Sequence, residues 1–242
     1  MHRARLPWAA LGLILMFLAP PCAAGEPPAT LDAAQLDALL ARLEKKLGSV
    51  RSLRADFMQE KHLSIFTDVV RSRGVLVFQR PDAVRFEMTE PFESAFIAAG
   101  KAVAKYERID GRWQKMRSAQ MTAARMVTEQ IAGWLEGRFR DNTDRYAITA
   151  TPATPPTIVL TPRNRKFREF LARIELALSP DETHFSSVTI HEPGGDFTRM
   201  LFQNPRHNLA IPPSVFDTTG AAPSPLPPVP APGAVDKAAT TR

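Results

Sequence analysis

Outside the first residues the chain carries four histidines, His62, His184, His191 and His207, the side chains best suited to hold a metal or move a proton. None stands at ligand spacing from another histidine, a cysteine or a carboxylate pair, and His191-Glu192 runs directly into Pro193, so a zinc helix is not expected. A serine nucleophile would need Ser94 or Ser187 brought to one of these histidines, and nothing in the spacing does so. There is no Gly-x-Ser-x-Gly elbow, no phosphate loop and no dinucleotide glycine pattern. Gly194-Gly195-Asp196 reads as a hairpin turn, and Glu87 and Glu90 fall on an exposed strand face or turn without an acid–base partner. The chain is read as a non-enzyme without metal or cofactor. One residue stands out for a different reason: Arg80 is set against Pro81 directly after the apolar run GVLVF. Its guanidinium offers five donors in a fixed fork, enough to hold several carbonyls at once.

The elements that would position these residues follow from periodicity. Thr30 is the expected N-cap of a helix over Leu31–Leu47, with Leu36, Leu39, Leu40, Leu43 and Leu47 at helical spacing. Lys45 and Lys46 suit its C-terminal dipole, and Gly48 ends it. From Leu53 the period changes to two, and 53–63, 73–80, 83–89, 93–100 and 101–109 read as successive strands, with turns at Arg80-Pro81-Asp82 and Asp110-Gly111. In AVRFEMT, Val84, Phe86 and Met88 share one face, and Arg85, Glu87 and Thr89 form the polar one. GVLVF is apolar on both faces and should be covered on both. Helical character returns over 119–139, where Met126, Ile131, Trp134 and Leu135 form an apolar side that Gly133 and Gly137 weaken. Strands resume at 146–151, 157–162 and 166–180, and a further hairpin turns at Pro193-Gly194-Gly195. LAIPPSVF is expected to be extended. Many consecutive strands and few helices imply one large antiparallel sheet. Its apolar face has only the leucine helix and short mid-chain helices to cover it, so a curved sheet closed by them could enclose a cavity; a filled core would read the same.

The ends carry their own signals. MHRARLPWAALGLILMFLAPPCAAG has basic Arg3 and Arg5, a short apolar run and small residues before Gly25, the order of a signal peptide over residues 1–24. Cys22 is the only cysteine, and Pro20-Pro21 before it is a poor lipidation context, so the mature chain is expected to start unlipidated at Gly25 and to lack disulfides. Residues 25–219 form one domain, followed by a Pro/Ala-rich tail at 220–242 expected to be disordered. Net charge falls from +6 to +4 once the two arginines of the signal leave. A basic surface suits anionic lipid or an acidic partner protein, whereas export and the lack of a basic stripe interleaved with aromatics disfavour nucleic acid.

The ordered segments resemble the outer-membrane lipoprotein carrier family, the LolA-like proteins. The resemblance is carried by the amphipathic helix, by SLRADFMQ (Ser52 to Gln59), by RGVLVFQRPDAVRFEMTEPFESAFIAAGK (Arg73 to Lys101) and by VTIHEPGGDFTRMLFQNPRHNLAIPPSVF (Val188 to Phe216). It implies a mostly β fold with helices (α+β), in which a single curved antiparallel sheet forms an incomplete β-barrel closed by a helical lid over an apolar cavity. It also implies a periplasmic carrier that shelters the acyl chains of lipoproteins, or of a related lipid, and ferries them from the inner to the outer membrane. An inner-membrane release transporter and an outer-membrane acceptor are the implied partners, with no nucleic acid, and the carrier is expected to be a monomer. Leu76, Phe78, Val84, Phe86, Met88 and Phe96 are the expected cavity wall. In these carriers an arginine at the Arg-Pro position hydrogen-bonds to the lid, and Arg80 matches it. Counting by two, Arg80 follows Leu76 and Phe78 along one face to the rim; alternatively it is a solvated turn residue beside Pro81. The family often has an aromatic pair after Gly-Lys where this chain has AVAKYERI, with Tyr106 alone, and the middle of the chain diverges. Two further readings stay open: a membrane-anchored outer-membrane acceptor of the same fold, which requires lipidated Cys22, and a secreted lipid-ester hydrolase.

Overall fold

A computed structural model describes residues 29–116 and 132–228. Residues 1–28, with the expected signal peptide and Cys22, residues 117–131 of the expected mid-chain helical stretch, and the tail beyond 228 lie outside the described residues. The leucine helix, α1, spans Ala33–Gly48, and its cap is Asp32 rather than Thr30. The reason is a capping box: Gln35 N–H donates to the Asp32 carboxylate at 2.8 Å, and the Asp32 N–H donates back to Gln35 Oε1 at 3.1 Å. Gly48 is the last helical residue, not the first beyond it, and Ser49 closes the helix. Leu39, Leu40, Leu43 and Leu47 are buried along one stripe.

Eleven strands make one antiparallel sheet: β1 (Ser52–His62), β2 (Val70–Gln79), β3 (Ala83–Glu90), β4 (Ser94–Ala99), β5 (Ala102–Ile109), β6 (Arg112–Lys115), β7 (Tyr146–Ala150), β8 (Thr157–Pro162), β9 (Arg173–Leu178), β10 (Phe185–His191) and β11 (Phe197–His207). Their order is β6-β5-β4-β3-β2-β1-β11-β10-β9-β8-β7. The chain walks from the centre out to one edge, restarts at the opposite edge and walks back until β11 pairs with β1. The result is a mostly β, curved and open sheet. The short β6 follows a turn in which Asp110 and Gly111 both have positive φ, the geometry of a tight hairpin. Only Arg173–Leu178 of the expected 166–180 strand is a strand. Asn164 accepts from the Lys166 N–H at 2.9 Å, and a 3-10 turn at Phe167–Glu169 replaces the extended chain. A second 3-10 turn, Pro213–Phe216, interrupts the expected extension of LAIPPSVF.

The sheet has two covered faces, and cross-strand register sorts residues between them. Leu76 opposite Phe86 and Phe78 opposite Val84 point inward, into a cluster with the α1 leucines, Leu53 and Phe57. Gly74 sits opposite Phe57, and a Cβ there would collide with the Glu87 carbonyl of β3 and lie 2.6 Å from the Phe57 ring, so the close approach of strand and aromatic requires glycine. On the outer face Val77, Ile97, Ala104, Ala95 and Tyr106 pack with Val215 and Phe216 from beyond β11. GVLVF is therefore covered on both sides, the outer cover being the C-terminal segment.

That cover buries part of the outer side of β3. Arg85, placed on the polar face, is only 1% exposed. Its Nε donates to Glu87 at 2.9 Å, its Nη1 donates to the carbonyls of Val215 (3.0 Å) and Ser224 (2.7 Å), and its Nη2 also contacts Glu87. Residues 220–228, assigned to a disordered tail, lie along the same face. Tyr106 donates to the Gly220 carbonyl at 3.1 Å, Lys115 to Thr218 O at 2.6 Å, and Arg54 to Pro227 O. A proline-rich strand has few N–H groups of its own and makes no internal hydrogen bonds, so its carbonyls are free to accept from these side chains.

Arg85→Met should leave the strap carbonyls without donors and Glu87 without its cation. A loss of about 3 kcal/mol in urea unfolding is expected, with early proteolysis within 217–228. Arg85→Met combined with Glu87→Leu should recover much of it, because an apolar pair of similar volume is tolerated where a lone charge is not. Wild-type stability and protease resistance in Arg85→Met alone would show that the arginine does not hold the strap.

Candidate functional site

Among the described residues the inner face is not filled. A cleft of about 830 Å³ opens between α1's side of the sheet and the strands β9–β11. Its floor is Leu53, Leu76 and Phe86 with Met200 and Phe202, and its wall is Ile174, Leu176, Phe185, Val188 and Ile190. Register builds that wall: Val188 stands opposite both Leu176 and Met200, and Ile190 opposite Ile174, so alternate inward positions of neighbouring strands fall side by side. Trp134, Leu135 and Leu171 close over it, and Phe167 and Phe170 stand at the mouth with polar Asp144, Arg145, Asn164, Lys166 and Glu192. Trp134, Tyr146 and Phe167 form an edge-to-face series, with centroids 6.1 and 6.5 Å apart, running from cover to mouth. Burial pushes the Tyr146 hydroxyl pKa up, keeping it neutral.

Of the residues singled out from the sequence, Leu76 and Phe86 line the cleft. Phe78 and Val84 share their face but are fully buried in the packed cluster that α1 joins, so they are solid core rather than cleft wall. Met88 packs against that cluster, and Phe96 stands across from Phe86 on β4, partly buried; neither lines the cleft. Most of the wall comes from β9–β11, which sequence reasoning passed over. The signal was there in the alternation Ile174-Leu176-Leu178 and Val188-Ile190.

Arg80 sits where three pieces meet. Its N–H donates to Arg51 O at 2.9 Å and its Nε to the Val50 carbonyl at 3.0 Å, beside the end of α1. Its Nη2 reaches the Glu136 carbonyl at 3.5 Å, and its Nη1 lies 3.6 Å from Glu136 Oε1. At that distance the contact is an ion pair without a hydrogen bond, and Oε1 has no other partner among the described residues. Arg138 holds the other carboxylate oxygen at 2.6 Å. The turn carrying Glu136 is pressed onto α1 at Gly137, whose φ is +79° and where a Cβ would meet Leu43 O and Glu44 Cα at 2.8 Å. Both the conformation and the space demand glycine. Arg140 bonds Asp37 and Glu44 of α1, and Arg42 and Lys46 of α1 bond Glu182 of the β9–β10 turn at 2.9 and 3.0 Å. The Arg42 hydrogen bond leads in holding the Glu182 pKa below its ordinary value, against the opposing effect of burial.

All four histidines among the described residues are half-buried. His184 and His207 lie 5.2 Å apart with the Thr183 hydroxyl 3.3 Å from each, and burial lowers the pKa of both. His191 lies 3.1 Å from Glu175, and His62 stacks on Phe197. No group of three potential metal ligands occurs among the described residues. Ser94 stands opposite Met88 on β3, Ser187 opposite Leu201 on β11, and neither bonds a histidine among the described residues.

The outer-membrane lipoprotein carrier protein of Proteus mirabilis is 26% identical over 111 residues, 44% of this chain and 55% of its own length. That of Cronobacter sakazakii is 26% identical over 116 residues, 46% and 57%. The chain thus spans little more than half the length of these relatives. The carrier of Pseudoalteromonas translucida is 18% identical over 181 residues, 73% of this chain and 81% of that one. Among solved structures, a LolA superfamily protein of Nitrosomonas europaea superposes with a TM-score of 0.39 at 10% identity, covering 75% of this chain and 96% of that one. The lipoprotein LppX of Mycobacterium tuberculosis gives 0.39 at 11% identity, covering 72% and 98%. The family described as outer membrane lipoprotein carrier protein LolA matches residues 48–219, from the end of α1 through all eleven strands, and the chain belongs to that family.

Proposed function

We propose that this protein is a non-enzymatic periplasmic carrier that takes acyl chains of lipoproteins, or of a related lipid, into the cleft and ferries them from the inner to the outer membrane. The observation that carries this reading is the cleft itself: about 830 Å³ walled by aliphatic and aromatic side chains, with its polar groups confined to the mouth. That size is within the range of roughly 300–1,000 Å³ typical of small-molecule sites. Each acyl CH₂ moved out of water contributes about 0.8 kcal/mol, so a cleft of this kind can hold lipid with no strong polar anchor. Weak individual contacts also allow release. The signal-like N-terminus supports export, and the names of the relatives support lipoprotein as cargo. In this reading the protein acts as a monomer between an inner-membrane release transporter and an outer-membrane acceptor.

Arg80 is the latch of the cover. It joins the end of α1 to the turn at Glu136, and a hydrogen bond from a charged group contributes roughly 1.5–3 kcal/mol. The Glu136 pair adds less, about 1 kcal/mol at most, because the arginine is partly open to solvent.

Phe86→Glu places a charge in the cleft floor, where desolvation is costly. Binding of a fluorescent fatty acid should fall by about tenfold or more with the circular dichroism unchanged. Unchanged binding in the folded variant would remove the cleft from lipid binding. For Arg80→Leu, lipid uptake and hand-off to an acceptor are measured separately. Hand-off should fail more than uptake, and Arg80→Lys should restore it in part, one ammonium lacking the guanidinium fork. Wild-type rates for both steps in the leucine variant would leave Arg80 a turn residue.

A further inference from the structure

The large apolar side chains left exposed among the described residues are not scattered. They are Ile65 and Phe66 between β1 and β2, Val70 at the start of β2, Phe92 between β3 and β4, Ile109 at the end of β5, and Phe167 and Phe170 between β8 and β9. Antiparallel register places all these positions at one end of the sheet: His62 opposite Phe197, Val70 opposite Lys61, His191 opposite both Phe197 and Arg173, and Tyr146 opposite Pro162. The same end holds the mouth of the cleft, which Tyr146, Phe167, Phe170 and Glu192 surround. Arg80, α1's C-terminus and Glu182 are at the other end.

Charge at this end is unevenly distributed. Arg71, Arg73, Arg108 and Arg173 are paired with Glu60, Glu90, Glu93 and Glu175, which leaves those turns close to neutral. The β8–β9 loop, RNRKFREF from Arg163 to Phe170, is different. Arg163 braces it by donating to Thr143 O at 2.8 Å and to Tyr146 O at 3.3 Å. Arg165, Lys166 and Arg168 are exposed and held by no ion pair among the described residues, and Glu169 is the loop's one acid. Phe170 is 73% exposed and Phe167 44%.

We infer that this end of the protein docks on an anionic lipid surface, with Phe167 and Phe170 entering the headgroup layer and Arg165, Lys166 and Arg168 meeting lipid phosphates. Aromatic rings beside unpaired cations are what an interfacial segment needs, since the rings lose water at headgroup depth while long basic side chains reach back to the phosphates. A lipid surface fits better than an acidic protein. The exposed residues are spread over several separate turns at one end of the sheet rather than gathered in one groove, which suits a broad fluid surface more than a shaped partner. Docking in this orientation sets the cleft mouth against the leaflet. It rests on the carrier reading for what then enters the cleft, while the surface itself is read from exposure and charge.

The test is co-sedimentation of the full chain with phosphatidylglycerol–phosphatidylcholine vesicles and with phosphatidylcholine alone. The wild type should partition onto the anionic vesicles, less so as salt rises. Arg165→Glu with Arg168→Glu, which are outside the cleft lining, should lower that partitioning by about tenfold or more and leave fatty-acid uptake unchanged. Phe170→Ser should weaken it with the salt dependence retained. Equal partitioning of wild type and charge-reversed protein, or no preference for anionic vesicles, would overturn the proposal. So would a reversed variant that keeps vesicle binding but loses binding to an acidic acceptor protein. Fatty-acid uptake missing from the wild type with vesicle docking intact would count against the carrier reading alone.

Discussion

Among the described residues a single antiparallel sheet of eleven strands has two apolar faces and no second sheet over either. Ten inter-strand steps of about 4.8 Å make it roughly 48 Å across, whereas α1, with 16 residues at 1.5 Å each, is about 24 Å long. One helix cannot cover that width. Where α1 does lie, Leu43 and Leu47 join Phe78 and Val84 in a filled core. Beyond its reach the inward residues of β9–β11 are left lining a cleft. Among the described residues the cleft is thus what α1 leaves uncovered, and the short helical segment and turn at 132–137 narrow it.

The outer face has the opposite arrangement: a thin, proline-rich segment laid flat and held through its carbonyls. Arg85 is the centre of that contact. A guanidinium at 1% exposure is tolerable only because Glu87 and two carbonyls satisfy it together. The two covers are also fastened differently. The outer cover is held by buried, charge-assisted bonds, while the inner cover is held by partly exposed ones at Arg80, Arg42, Lys46 and Arg140, which water weakens.

Much of this was legible in the sequence, and what was not has identifiable reasons. Period-two alternation located the major strands and placed Arg80 just past an apolar one, but not at the mouth of the cleft, which opens at the opposite end of the sheet. Alternation also predicted that GVLVF is covered twice, but it cannot say by what, so Arg85 read as solvated and residues 220–228 as loose chain. Composition marks a proline-rich segment as unable to build a core, yet not as unable to lie on one. The Asp32–Gln35 spacing does carry the capping-box signal, which the choice of Thr30 ahead of the leucine pattern passes over. Phe78 and Val84 share a face with Leu76 and Phe86, and only the position of α1 across the sheet decides which pair is buried and which lines the cleft. That is a tertiary fact with no local signature.

Native mass spectrometry of the full chain isolated from its native cells is the most direct measurement of whether the cleft holds lipid. The predicted result is a population carrying a noncovalent adduct of acyl-lipid mass, lost on gentle activation and replaced when the stripped protein is incubated with a diacylated lipoprotein. A spectrum of bare protein alone, both as isolated and after that incubation, would contradict it.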